Sequence, residues 1–225
     1  MRHRLIFLIL LALSAIAQFS CSGSNQSAGK QAQGAGSTIL FGATFNNTTS
    51  RDLFPSLALP MNRTWKRHYP GIAPEFTGAG IFSTDFKRGI NCVKFQEQNQ
   101  PDEWWAKDSI GRVIAIQWND QSGNLVIPQN MENTYYYKAE GAALGQTWSV
   151  GAGIDQVTWE IIATNATAPR TGISDCTLHR ATFSFGGQLW YVWWSAENGH
   201  IESSSSLTIT SDPNENYYYV SNPAG

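Results

Sequence analysis

Apolar and polar positions in this chain alternate with a period near two. Val157-Thr158-Trp159-Glu160-Ile161-Ile162, Arg112 to Trp118, Leu125 to Ile127 and Leu207 to Thr210 are short, rich in β-branched or aromatic residues, and bounded by Gly, Asn, Ser or Pro. Phe183-Ser184-Phe185-Gly186-Gly187-Gln188-Leu189-Trp190 places Gly-Gly between two aromatic runs. That is a hairpin signal, because glycine takes the positive φ a tight turn requires. Convincing helical periodicity is absent beyond the first twenty residues. The pattern predicts an all-β fold, an antiparallel sheet forming a barrel-like wall or a sandwich.

The second half of the pattern echoes the first. Thr64-Trp65 returns as Thr147-Trp148 (148 − 65 = 83), Cys92 as Cys176 (176 − 92 = 84), and Trp104-Trp105 as Trp193-Trp194 (193 − 104 = 89). Each Trp pair is followed by an acid and a turn glycine, Asp108 and Gly111 in one case, Glu197 and Gly199 in the other. Each half closes on Glu-Asn and a tyrosine triplet, Tyr135-Tyr136-Tyr137 and Tyr217-Tyr218-Tyr219. Landmarks in one order at nearly constant offset predict two tandem repeats, about residues 53–138 and 139–220, of about six strands each. They fall within one β domain over 38–225.

The start of the chain reads differently. Arg2 and Arg4 precede an apolar run from Leu5 to Ile16, of signal-peptide length and too short to span a membrane. The run ends at Ala17-Gln18-Phe19-Ser20-Cys21, a small residue before a cysteine, as in a bacterial lipoprotein signal. Residues 1–20 are then the signal peptide and Cys21 the lipidated residue. Cleavage by the general signal peptidase, leaving Cys21 an ordinary thiol, is the alternative. Residues 22–37 are Ser, Gly, Gln, Ala and Asn with one charge, Lys30, a composition that buries no core and serves as a tether. Ser22 in place of Asp implies transfer to the outer membrane. The expected location is the bacterial envelope, lipid-anchored at the outer membrane, with a secreted or periplasmic protein as the alternative.

With Cys21 set aside, Cys92 and Cys176 remain, one per repeat. An exported compartment is oxidising, so a bridge between them is expected. It would stabilise by about 4 to 5 kcal/mol through loop closure. Two buried, unpaired thiols are the other possibility. Net charge is −2, and 14% charged residues without a basic stripe exclude a nucleic-acid partner.

Leu53-Phe54-Pro55, Thr64-Trp65, Leu144-Gly145-Gln146-Thr147-Trp148, Asp175-Cys176 and the strand from Trp190 to Gly199 appear in this order. The chain thereby resembles a loose group of bacterial secreted and lipid-anchored β-proteins over most of Leu53 to Ser206. Glu197-Asn198-Gly199 stands where that group carries Gly-Val-Gly. Some of its members resemble the open half-barrels of lipoprotein carriers, which hold acyl chains on a concave apolar face. The resemblance implies a fold of that kind and nothing about specificity.

Catalytic motifs are wanting. Beyond the signal the histidines are His68, His179 and His200, with no His-Glu-x-x-His, Gly-x-Ser-x-Gly or Cys-x-x-Cys, so no catalytic, metal or cofactor site is assigned. A Cys176/His179 nucleophile is weaker than a His179 on a solvent-facing strand. Asp102-Glu103 and Glu197 beside the Trp pairs could serve a glycoside hydrolase, but solvated turn acids account for them. Gly78-Ala79-Gly80 lacks the strand-to-helix setting of a phosphate loop.

The Trp pairs carry the better lead. Neighbours on a strand point to opposite faces, so Trp104, Trp105, Trp193 and Trp194 place one indole on each face of each repeat. The outward rings pack against another layer, stack on a sugar, or line a lipid cavity. The expected function is non-enzymatic binding of an apolar ligand or an envelope partner protein, beside membrane attachment through the N-terminal lipid. A glycan-binding module using exposed indoles is the rival.

Overall fold

The computed structural model describes residues 36–46, 61–69, 72–97, 100–138, 140–209 and 218–222. The signal, Cys21, most of the tether, Leu53-Phe54-Pro55 and Tyr217 lie outside them. Among the described residues there is no α-helix. The strands are β1 (Ser37–Leu40), β2 (Ala43–Asn46), β3 (Met61–Tyr69), β4 (Ile72–Lys87), β5 (Ile90–Glu97), β6 (Glu103–Lys107), β7 (Arg112–Asn119), β8 (Leu125–Val126), β9 (Tyr136–Lys138), β10 (Thr147–Val150), β11 (Val157–Ala166), β12 (Cys176–Phe183), β13 (Leu189–Ser195), β14 (Gly199–Ser204) and β15 (Tyr218–Asn222). β1 and β2 form a separate hairpin, and the other thirteen strands form one antiparallel sheet that curls into a half-barrel.

The sheet consists of two meanders. β3 to β7 pair in succession, with β8 and β9 at opposite ends of the outer edge of β7; β10 to β15 pair in succession. The meanders join where β15 pairs with β3. The sequence echo maps onto this topology. Thr-Trp lies on the first strand of each meander (β3, β10), the cysteine on the third (β5, β12), the Trp pair on the fourth (β6, β13) and tyrosines on the last (β9, β15). Each Trp pair also faces a β-bulge on the next strand. Trp104 and Trp105 oppose Gln117 and Ala115, leaving Ile116 over, while Trp193 and Trp194 oppose Glu202 and His200, leaving Ile201 over. The extra residue bends the strand at the same place in each half, which helps the sheet curl.

Alternation divides each Trp pair between the faces. Trp104 points to the convex side, packed with Cys92, Ile114 and Ile116 beneath Ala43 and Phe45 of the β1–β2 hairpin. Trp193 does the same in the other half, with Cys176, Leu178 and Ile201 beneath Ala168 and Ile173 of the β11–β12 loop. Trp105 and Trp194 point to the concave side, where the halves meet: Phe82, Val93, Val113 and Trp194 form one cluster with Trp105 and Tyr137 against it. Tyr137 also packs on the Val150, Val157, Trp159, Ala181 and Val192 cluster, so its ring joins the two. Burial of this many aromatic rings, each worth about 1.5–3 kcal/mol, holds the curl closed.

Two expectations are corrected here. Cys92 and Cys176 are buried unpaired thiols, not a disulfide. Their equivalence is what separates them, since β5 and β12 are six steps apart in the sheet order. At about 4.8 Å per step that is roughly 29 Å along the curve, against about 7 Å for a bridge, and both thiols lie on the convex side. The strand expected from Leu207 to Thr210 is also absent, residues 205–209 being irregular. Ser204 Oγ accepts from Ser206 N–H at 3.2 Å and Ser206 Oγ from Thr208 N–H at 3.2 Å, so serine hydroxyls take donors a ladder would use.

Gly78 is explained by close approach. Trp65 and Gly78 are cross-strand partners, and a Cβ on Gly78 would lie 2.1 Å from Cζ2 of the indole, which rests on the bare backbone there.

Candidate functional site

On β3, Arg63, Trp65 and Arg67 face inward while Asn62, Thr64 and Lys66 are exposed. The Arg63 guanidinium donates through Nη1 to the Asn198 carbonyl at 3.0 Å and through Nη2 to the His200 carbonyl, and lies 5.3 Å from the Phe82 ring. It clips the first meander to the β13–β14 turn of the second. Arg67 stacks over Trp65 at 4.4 Å and pairs with the buried carboxylate of Glu97.

Glu103, the first residue of β6, lies beside this pair. Its carboxylate accepts Trp105 Nε1–H at 2.8 Å and the Tyr135 hydroxyl at 3.0 Å. Burial pushes its pKa above the ordinary carboxylate range, the two donors pull against that, and the Glu97 charge adds to the rise. Burial, then the Glu103 charge, raises the Tyr135 phenol well above its usual value, so it stays a donor. The Trp105 and Trp118 rings stand 5.0 and 5.6 Å from that of Tyr135. Phe95, Glu103, Trp105, Trp118 and Tyr135 are only part-buried. They form an aromatic-walled mouth with one acid held toward its neutral form and another paired to arginine.

The rest of the concave face is closed. The Tyr137 and Trp194 rings stack at 4.5 Å, and Trp148 stacks on Trp159 at 6.3 Å. His179 sits edge-on to Tyr137, Trp148 and Trp159 at 5.5, 5.8 and 6.3 Å, fully buried. The expectation of a solvent-facing His179 is therefore wrong. Thr177, His179 and Ala181 share the inward parity of β12, opposite in face to Cys176, which rules out the Cys/His pair. Burial raises the Cys92 thiol to about 12 and the Cys176 thiol to about 11, so neither supplies a thiolate at neutral pH.

Burial lowers His179 to about 4, and its Nε2 already accepts the Lys138 N–H at 3.3 Å, leaving no place for a proton on that nitrogen. Burial, then the Arg63 and Arg67 charges, lowers His200 to about 3. Both imidazoles are neutral in the fold and bind protons once it opens. Their contribution to stability is thus fully present above about pH 6.5 and lost as pH falls toward 4 and then 3. Chemical denaturation from pH 7.5 to 4 is expected to show this slope, and His179→Phe to flatten its upper part. An unchanged slope would place the titration elsewhere.

The other sequence candidates take structural places. Trp104 is 7% exposed and Trp193 2%, so the outward indoles pack against another layer and present no face to a sugar. Trp194 is buried between the halves, and Trp105 alone of the four lines the mouth. Asp102 pairs with Lys94 at 2.8 Å on the convex side. Asp108 closes its turn by accepting the Ile110 and Arg112 N–H groups at 3.1 and 2.8 Å. In the equivalent turn Ser195 Oγ accepts from Glu197 and Asn198 N–H, both at 3.2 Å. Among the described residues no cluster of His, Cys, Asp and Glu could hold a metal ion, and no helix is long and apolar enough to cross a membrane.

Arg63, Arg67, Glu97 and Trp118 went unnoticed in the sequence as site residues, and Tyr135 was noted only as part of a tyrosine triplet. The signal for the first two was the period-two placement of Arg63-x-Trp65-x-Arg67. The fold and mouth define a curled antiparallel half-barrel with a part-open aromatic interior. Comparison of the chain with protein-family models, curated proteins and solved structures finds no match.

Proposed function

We propose that the chain is an exported, lipid-anchored β-protein of the bacterial envelope that binds an apolar ligand at the mouth of its curled sheet and performs no covalent chemistry. The observation that carries the reading is the part-buried ring set of Phe95, Trp105, Trp118 and Tyr135 around Glu103, on a concave face otherwise closed by ring stacking. The groups that could do chemistry are engaged elsewhere. His179 is locked in rings, both thiols are buried, and Glu97 is paired to Arg67. The Ser20-Cys21 junction and the Ser/Gly tether support the anchor.

Titration of the intrinsic tryptophan emission with dodecanoate or a lysophospholipid is expected to give a saturable change, weakened about tenfold (1.4 kcal/mol) by Trp118→Ala. Oligosaccharides are expected to give none. A response to oligosaccharide alone would favour the glycan module, and silence to both would end the ligand reading.

A further inference from the structure

The register fixes which turns share an end of the half-barrel. Val150 pairs with Val157, Val157 with Phe183, Thr182 with Leu189, Tyr191 with Ser204, Ser204 with Tyr218, and Tyr218 with His68. The line continues through Tyr69 with Ile72, Gly80 with Glu97, Phe95 with Glu103, Glu103 with Trp118, and Asn119 with Leu125. Along this rim Leu125, Ile154, Phe185, Leu189, Leu207 and Ile209 are exposed, from 41% at Leu189 to 73% at Ile154. The opposite end exposes Ile39, Ile110 and Leu144. The mouth opens at the rim end, since Arg67, Glu97, Glu103 and Trp118 all stand at that end of their strands.

Basic residues are absent from the described turns of the rim. Residues 100–102, 120–124, 151–156, 184–188 and 205–209 contain no lysine or arginine, and the basic side chains near that end, Arg67 and Lys94, are paired with Glu97 and Asp102. The other end bears Arg88 besides Lys87, Lys107 and Arg112, which pair with Asp85, Glu140 and Asp108. Phe185, Leu207 and Ile209 stand among Gly, Ser and Thr, as in Ser184-Phe185-Gly186 and Ser206-Leu207-Thr208, while Leu125 and Leu189 each begin a strand. Apolar tips separated by polar backbone suit immersion in a fluid interface, where each tip finds its own depth, better than a flat protein partner. With no basic residue in its described turns, and Arg67 and Lys94 nearby already paired with carboxylates, the rim gains little from anionic lipid, so its partner is a neutral, zwitterionic surface.

We infer that the rim inserts its apolar tips into a neutral phospholipid surface, with the mouth facing the lipid. The inference rests on the anchored, ligand-binding reading and adds its orientation. The tether, about 50 Å when extended, lets the rim reach the layer that holds the lipid anchor.

The test uses the full mature chain carrying Ser184→Cys on the rim or Ser109→Cys at the far end, each labelled with a polarity-sensitive fluorophore. Cys92 and Cys176 stay unlabelled because they are buried, and Cys21→Ser in a parallel sample removes the remaining thiol. With phosphatidylcholine vesicles the Ser184 label is expected to gain emission several-fold and to be quenched by nitroxide lipid, the Ser109 label to do neither, and added phosphatidylglycerol to give no increase. Ile154→Ser/Phe185→Ser/Leu207→Ser is expected to abolish the change while leaving the circular dichroism intact. A rim label that stays water-like on vesicles overturns the inference. So does one that dries without vesicles as protein concentration rises, which would mean a second copy covers the rim. The mass of the N-terminal peptide from the same sample separates the two readings, because an unacylated Cys21 removes the anchor without altering the response to added vesicles.

Discussion

Trp194→Ala is expected to cost about 3–5 kcal/mol of stability and so to lower Tm by roughly 6–20 °C. The indole is 5% exposed, stacks on Tyr137 at 4.5 Å, lies 6.5 Å from Trp105 and 6.4 Å from His200, and touches both halves of the sheet. Its removal leaves a cavity where the meanders meet, and rings already stacked on one another cannot collapse into it. A double-mutant cycle with Tyr137→Ala is expected to return about 0.5–1.5 kcal/mol of coupling for the stacked pair. A loss below about 1 kcal/mol for Trp194→Ala alone would mean the halves hold without this contact.

Arg170→Met is expected to be nearly as damaging, by about 3–5 kcal/mol. Glu202 is fully buried on the convex side of β14 and accepts the Arg170 backbone N–H at 2.9 Å and Nη1 at 2.5 Å. This pair fastens the β11–β12 loop over Cys176 and Trp193. Burial already raises the Glu202 carboxyl above its ordinary value against the pull of Arg170, and losing the guanidinium lets it rise further. A folded-state carboxyl above its unfolded value holds its proton more tightly in the fold. The contribution is therefore intact at pH below the ordinary carboxylate range and lost as pH rises through the raised value. The defect of Arg170→Met is expected to deepen from pH 4 to 8 in denaturant titrations, and Arg170→Met/Glu202→Gln to recover much of it. A defect independent of pH would show that the charge is not what the arginine serves.

Strand identity and the division of each Trp pair between faces were legible because both rest on period-two alternation, which any half-buried strand obeys. The partition of Trp104 from Trp105 needed no tertiary knowledge. Sheet order is a different kind of information. Cys92 and Cys176 lie on the third strand of each meander, yet whether two such strands touch depends on the β15–β3 join, which no local pattern encodes. The cover over Trp104 and Trp193 was equally hidden, since it comes from Ala43 and Phe45 in a ten-residue hairpin and from Ala168 and Ile173 in a loop. Of the mouth Glu103 and Trp105 had been singled out, with Glu103 read as a solvated acid, and Tyr135 had been noted only as part of a triplet. Arg63 and Arg67 read as polar because charge normally marks the solvent face. Here carbonyls and a carboxylate receive them inside.

The pairing of Asn222 with Thr64 joins residues 158 positions apart (222 − 64). Every other neighbouring pair in the large sheet joins strands of the same meander and forms as the chain lengthens. One edge of β3 waits for β15. A chain threaded N-terminus first, whether from a ribosome or through a translocation pore, presents that edge bare until Tyr218 to Asn222 arrive. Contacts of such range are slow to form, and an unpaired edge templates association with other chains. Synthesis that stalls before Tyr218 would therefore release a chain with two complementary open edges, on β3 and β14, equipped to exchange strands with a second incomplete copy.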